Sequence, residues 1–222
     1  MTDIIQISDI ETQKVHKVYD IISDTFNAKR FQHWTWINEF MDSLPAKSKI
    51  LDLGCGSGRN MVGYSQHNFI GLDMCSNFVS ICKNKGLNAI TGDICSLPFE
   101  DNSFDAIACI AVFHHLSTVE RRNKCLSEIH RIIKKNGKVL LSVWSIEQPA
   151  KTRREFKEYG DTIVNWVQKE KTNGKTYEKT YERYYYIFKI DEIIDLFEKN
   201  NFEIISHKWD CGNEVFLIQP IK

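Results

Sequence analysis

The sequence has no excess of charge: 29 Lys and Arg stand against 29 Asp and Glu, a formal net charge of zero. Whole-chain electrostatics therefore neither demand nor forbid a polyanionic partner, and only local patches can attract one. There is no C-x-x-C pair among the seven cysteines. That absence argues against a zinc site in this chain, and the odd count suits reduced thiols in an intracellular protein. No basic-then-apolar leader opens the chain, and no apolar run approaches membrane-spanning length. The expectation is a soluble cytoplasmic protein, with the nucleus as a second location, and no membrane partner. Internal repeats are missing as well. At 222 residues the chain is long enough for one well-buried α/β domain.

What is present concentrates in Ile50-Leu51-Asp52-Leu53-Gly54-Cys55-Gly56-Ser57-Gly58-Arg59, followed by Phe69-Ile70-Gly71-Leu72-Asp73. The apolar run before the turn suits a parallel strand buried on both faces. Glycines at alternate positions let the backbone turn sharply and approach a ligand that side chains would block. Asp73, about 20 residues beyond the first glycine, is placed to hold a ribose diol by charge-assisted hydrogen bonds worth roughly 1.5–3 kcal/mol. A dinucleotide fingerprint needs a third glycine where this chain has Arg59. Gly54, Gly56 and Gly58 instead read G-x-G-x-G, which fits S-adenosylmethionine, whose methionine end carries an ammonium and no pyrophosphate. Thr91-Gly92-Asp93-Ile94 puts an acid and an apolar residue at a third strand end, suited to an adenine edge and face. Asn102–Ile110 supplies a fourth strand. Cys55 belongs to the glycine turn; Cys75, Cys82, Cys95, Cys109, Cys125 and Cys211 read as small core residues.

Residues 1–11 are polar and read as frayed. Val15, Val18, Ile21, Ile22, Thr25 and Phe26 recur at helical spacing, and a second helix runs near Trp34–Met41, giving a helical cap over about 12–45. Alternating strand and helix signals then continue to about Trp144, indicating a parallel sheet with right-handed crossovers. A helix near Thr118–Lys134 starts at Ser117 with Glu120 three residues on, a capping box, and ends at Asn136-Gly137 with a left-handed cap before a strand over 138–143. The segment 148–183 is rich in Lys, Arg, Glu and Tyr, with one apolar patch, Ile163, Val164, Trp166 and Val167. It reads as an insertion, part helix and part mobile loop, on the substrate side. Asp191–Asn200 is an amphipathic helix, and Phe202–Lys208 with Val215–Gln219 form a closing hairpin through Asp210-Cys211-Gly212-Asn213.

These features together resemble class I S-adenosylmethionine-dependent methyltransferases. The resemblance implies a seven-stranded, mostly parallel Rossmann-like sheet with helices on both faces and an antiparallel C-terminal hairpin. The core falls at about 48–147 and 184–222. The Asn/Asp-Pro-Pro-Tyr/Phe of exocyclic-amine methyltransferases is absent after the fourth strand, where the chain reads Ile110-Ala111-Val112-Phe113-His114-His115-Leu116. No Pro-Cys occurs, so a cytosine-C5 enzyme's nucleophile is missing too.

Three segments narrow the family. They are His16-Lys17-Val18-Tyr19-Asp20 leading to Asn27-Ala28-Lys29-Arg30-Phe31 and Trp34; His114-His115-Leu116-Ser117-Thr118 with Glu120-Arg121-Arg122; and Trp144-Ser145-Ile146-Glu147-Gln148 with Arg183-Tyr184-Tyr185-Tyr186 and Gly212-Asn213. Over roughly 15–148 and 183–219 they resemble the eukaryotic tRNA methyltransferases that esterify 5-carboxymethyluridine at the anticodon wobble position. The resemblance implies cofactor contacts from Tyr19, Asp52, Gly54, Gly56, Gly58, Asp73, Met74, Asp93, Ile94 and Ile110. It also implies a tRNA substrate, and a small zinc-containing activator protein adding its strand at the sheet edge near Leu87–Thr91 in an obligate heterodimer. A carboxylic acid with a reference pKa near ~4 is already ionised at neutral pH, so its oxygen needs no general base. Orientation alone can supply roughly 7–11 kcal/mol. Arg30 is the candidate grip on the carboxylate or a phosphate, His115 the substrate-positioning group, and Trp144 the stacking partner of the uracil. His114 reads as a packed core histidine. Arg121 and Arg122, with Lys124, Arg131, Lys134, Lys135 and Lys138, form a basic stretch, read as a solvated helix face or a contact to tRNA phosphates. Two alternatives share the cofactor half: a methyltransferase of a small quinone, sterol or carboxylic acid, and a non-catalytic scaffold.

Overall fold

The computed structural model describes residues 6–27, 34–150, 152, 154–172 and 175–222. A seven-stranded sheet in the order β3-β2-β1-β4-β5-β9-β8 carries the fold. Its strands are β1 (Lys49–Leu53), β2 (Asn68–Asp73), β3 (Ala89–Thr91), β4 (Phe104–Ile110), β5 (Ile133–Trp144), β8 (Phe202–Asp210) and β9 (Asn213–Pro220). β1 to β5 pair in parallel, while β9 is antiparallel to both β5 and β8. The parallel sheet and antiparallel closing hairpin agree with the sequence reading, and β3 lies at one edge.

Alternation along the central strands shows why both faces must be covered. Ile107 and Cys109 point into a core with Leu51, Leu126, Ile129, Phe197 and Phe216, under helices α5 (Val119–Ile132) and α6 (Ile190–Lys199). Ala106, Ala108 and Ile110 point the other way, into a cluster with Ile50, Trp36, Ile37, Phe40 and Met41 of α3 (Thr35–Asp42). A period of two with apolar residues on both sides reads as a continuous hydrophobic run, as in other doubly covered parallel sheets.

Four local expectations are corrected. The insertion is no helix: β6 (Gly160–Thr172) and β7 (Lys175–Ile187) form a separate two-stranded antiparallel sheet. Its inner face packs Trp166 and Tyr181 against Val18, Ile22 and Phe26 of α2 (Lys17–Asn27), and Val164, Tyr185 and Ile187 against Trp144. The cap of α5 is Thr118, whose hydroxyl accepts from the Arg121 amide; Ser117 instead donates from both its amide and its hydroxyl to Glu11 Oε1, at 2.8 and 2.9 Å. Asn136-Gly137 does not end α5. The helix stops at Ile132, and both residues lie inside β5 at a register shift opposite Phe104–Ala106. Residues 9–11 are helical rather than frayed, running into a π-helical turn, Thr12–His16, and then α2.

Candidate active site

The C-terminal ends of β1, β2, β3 and β4 open on one cavity, the position where parallel α/β sheets bind ligands. It is lined by Gly54, Cys55, Gly56 and Ser57 of the turn after β1, Asp73 and Met74 after β2, Asp93 and Ile94 after β3, and Ile110 with Val112 and His115 after β4. His16, Tyr19 and Phe26, one turn or two apart on the N-terminal helix, close it from above together with Phe78.

The turn itself is dictated by its glycines. Gly54 has φ +73° and Gly56 φ +52°, left-handed backbone that side chains resist. A Cβ on Gly54 would lie 2.5 Å from Val112, whereas one on Gly56 would meet nothing within 4 Å and would project into the open space of the cavity. Asp73 fixes the turn from the next strand, its Oδ2 accepting from the Gly56 amide at 2.7 Å and its Oδ1 from Cys75 at 2.9 Å. Burial pushes the Asp73 carboxyl up to about 6, against the pull of those amide hydrogen bonds. Asp52 lies fully buried beneath the turn, outside the cavity lining. Burial pushes its carboxyl up to about 7, and its Oδ2 has no hydrogen-bond partner. Two buried carboxyls, one with an orphaned oxygen, and an open glycine cradle suit a ligand with a hydroxylated ring and a positive centre.

Asp93 is more occupied than its sequence role suggests. The Arg121 guanidinium takes both its oxygens at 2.9 Å, and the Cys95 amide donates to Oδ1. With about four lone-pair sites on a carboxylate, one remains for a ligand. Arg121 also pairs with Glu11 at 2.8 Å, and both side chains are 1% exposed. This corrects the basic-stretch reading. Arg121 is a buried ion, and Arg122, equally buried, lies 3.4 Å over the Tyr186 ring and hydrogen-bonds the Leu116 carbonyl, so neither faces solvent.

His115 and Tyr19 meet at the other wall. His115 Nδ1 lies 2.7 Å from the Tyr184 carbonyl, which can only accept, so Nδ1 carries the proton. Nε2 then accepts from the Tyr19 hydroxyl at 3.1 Å, and that hydroxyl also lies 3.1 Å from Tyr185 Oη. His114 is a core residue, accepting the Trp144 amide on Nδ1 at 3.0 Å. Trp144 itself is buried away from the cavity lining. Tyr185 stacks on its ring at 4.0 Å, and the Arg154 guanidinium lies 4.4 Å from the ring centre, an arrangement with no ring face offered to a base. Gly58 also stands outside the lining, packed on Leu87 and Cys82. Arg30 lies outside the described residues. Cys211 is exposed, while the other six cysteines are buried.

The sequence reading therefore reaches nine cavity residues: Tyr19, Gly54, Gly56, Asp73, Met74, Asp93, Ile94, Ile110 and His115. It missed His16, Phe78 and Arg121. His16 sits three residues before Tyr19 on one helix face, a spacing that pairs side chains and was available as a signal.

Residues 51–141 match the family described as Methyltransferase domain. The chain is 35% identical over 217 residues to a tRNA (carboxymethyluridine(34)-5-O)-methyltransferase of Schizosaccharomyces pombe, covering 91% of this chain and 94% of that one. It is 41% identical over 140 residues to an enzyme of the same name from Arabidopsis thaliana, covering 63% of this chain but only 35% of that protein. The chain thus spans about a third of the plant relative. Among solved structures it resembles an S-adenosylmethionine-dependent methyltransferase from Clostridium acetobutylicum, with a TM-score of 0.70, 14% identity, and coverage of 93% and 98% of the two chains. S-adenosylmethionine is the cofactor this cavity serves, and the chain belongs to the family of tRNA (carboxymethyluridine(34)-5-O)-methyltransferases.

Proposed function

We propose that this protein transfers the methyl group of S-adenosylmethionine to the carboxylate of 5-carboxymethyluridine at the tRNA wobble position, giving 5-methoxycarbonylmethyluridine. The observation that carries the reading is the acceptor wall. There His115 has Nδ1 committed to a carbonyl and Nε2 engaged with Tyr19, so that histidine is held for positioning rather than for taking a proton. An acceptor that arrives already ionised needs no general base.

When bound, the cofactor supplies an electrophilic methyl group on a sulfonium. Asp73 is then the partner for the ribose diol and the turn from Gly54 to Gly56 receives the methionyl end. Asp93, with Met74, Ile94 and Ile110, makes the adenine floor. Asp52 is a negative group beneath the turn, and Gly58 serves by packing. His115 orients Tyr19, and both narrow the entry so that the acceptor reaches the methyl without its water shell. Arg30 remains a candidate for gripping the incoming acid or a neighbouring phosphate.

The activating partner belongs to this reading as well. β3 pairs with β2 on one side only and forms the sheet edge. Such an edge can take an added strand, and the family resemblance implies that a small zinc-containing protein supplies it. Residence in the cytoplasm, with the nucleus second, accords with a tRNA substrate.

The test is methylation of tRNA from cells lacking the modification, with and without the partner, followed by nucleoside mass analysis. The expected product is the wobble methyl ester, with transfer falling steeply as salt rises. His115→Ala should abolish transfer while cofactor affinity stays nearly unchanged. Transfer to a small carboxylic acid or quinone but not to tRNA would overturn the reading.

A further inference from the structure

A buried guanidinium on the acceptor side has no counter-ion among the described residues. Arg183 lies on β7 opposite Val164 and is 5% exposed. Its guanidinium carbon stands 5.1 Å from the Trp166 ring centre and 5.3 Å from that of Tyr185. Nη1 donates to the Tyr19 hydroxyl at 3.4 Å, and Nε has no hydrogen-bond partner. Among the described residues, the groups that act electrostatically on it are the hydroxyls of Tyr185 and Tyr19, and none is a carboxylate. Arg121, buried to a similar degree, has two carboxylates.

A cation held among aromatic rings with an unused donor is unfavourable until an anion joins it. The Tyr19 ring lines the cavity, so Arg183 stands one hydroxyl behind the wall that an acceptor must touch. We propose that Arg183, beside the Tyr19 hydroxyl, is the group that receives the acceptor's carboxylate, an assignment that rests on the functional reading above. A guanidinium fork matches a carboxylate better than any other side chain does. In the reaction a carboxylate oxygen forms the O–CH₃ bond as the S–CH₃ bond breaks and its electron pair returns to sulfur. No proton moves. The product ester is neutral, so the attraction that seats the acid is lost once the methyl arrives, and the ester leaves.

Two carboxylates meet in the complex, the acceptor's and that of the donor's methionyl end; the experiment separates them. Binding of anticodon stem-loop RNA carrying either carboxymethyluridine or the isosteric, uncharged carbamoylmethyluridine is measured with the full chain and its partner. Cofactor affinity is measured in parallel. The wild type should prefer the acid at least ~10-fold. Arg183→Gln should bring that preference to within about twofold and lower kcat at least ~100-fold, with cofactor affinity changed less than about threefold. Arg183→Lys should restore part of the preference, which a purely structural role would not do. Retained preference in Arg183→Gln overturns the proposal, as does a loss confined to cofactor affinity, which would assign the methionyl carboxylate instead. Should that variant fail to fold, Arg183→Lys decides alone: it should lower the preference at least about threefold, and an unchanged preference overturns the proposal. Wild type that fails to methylate the acid-bearing RNA refutes the functional reading. Wild type that methylates it beside an unimpaired Arg183→Gln refutes this assignment only.

Discussion

The two walls of the cavity carry opposite chemistry. The donor wall, at the ends of β1, β2 and β3, holds the carboxyls of Asp73 and Asp93, with Asp52 buried beneath it. The acceptor wall, from α2 and the segment after β4, presents Tyr19 and His115, with Arg183 of β7 one hydroxyl behind and, among the described residues, no acid paired with it. Negative groups suit a sulfonium; a guanidinium suits an anion. Opposed fields across one cavity bind two oppositely charged reactants side by side; because both charges vanish when the methyl moves, the walls serve binding and orientation rather than stabilisation of developing charge.

The largest expected breakage is at the hinge between the walls. Arg121→Met leaves buried Glu11 and half-buried Asp93 without their shared cation, so thermal or urea denaturation should show a loss of about 3–5 kcal/mol. A change below 1 kcal/mol would mean that the pair contributes nothing. Next comes Asp73→Ala, which removes the ribose partner and orphans the Gly56 and Cys75 amides. Titration calorimetry should find cofactor affinity down at least ~100-fold. Acid should weaken the donor wall more gently. Burial raises Asp52 to about 7 and Asp73 to about 6, so both take up protons as pH falls from 8 to 5.5, and a cationic ligand must displace them. Cofactor affinity should fall about 10- to 100-fold over that range, flattening above pH 8. A flat profile would show that neither carboxyl titrates. Tyr19→Phe sharpens the comparison from the acceptor side. Losing one hydroxyl shared by His115, Tyr185 and Arg183 should lower kcat about 5- to 10-fold, with cofactor affinity held within about twofold in steady-state kinetics.

The donor wall was legible in the sequence because its parts are local. A strand, three glycines and an acid at the next strand end lie within 24 residues, and each is required by backbone geometry. The acceptor wall was legible only in fragments. Period-two burial in β6 was hidden because exposed Ile163 and Val167 are as apolar as inward Val164 and Trp166. The pattern looked like one patch rather than an alternating strand. Arg121 and Arg122 looked like a solvated face because charge in sequence does not reveal burial; their partners Glu11, Asp93 and Glu192 lie far along the chain. Thr118 displaced Ser117 as cap for a similar reason, since Ser117 is claimed by Glu11 from more than a hundred residues away.

Glu11 joins Ser117 and Arg121 at once, and through Arg121 it reaches Asp93 in the cavity lining. The first helical turn is thereby riveted across the donor pocket. Shortening the protein past this glutamate would loosen nucleoside binding although every strand and glycine remained intact. A fusion partner placed upstream therefore needs slack enough to leave that rivet seated.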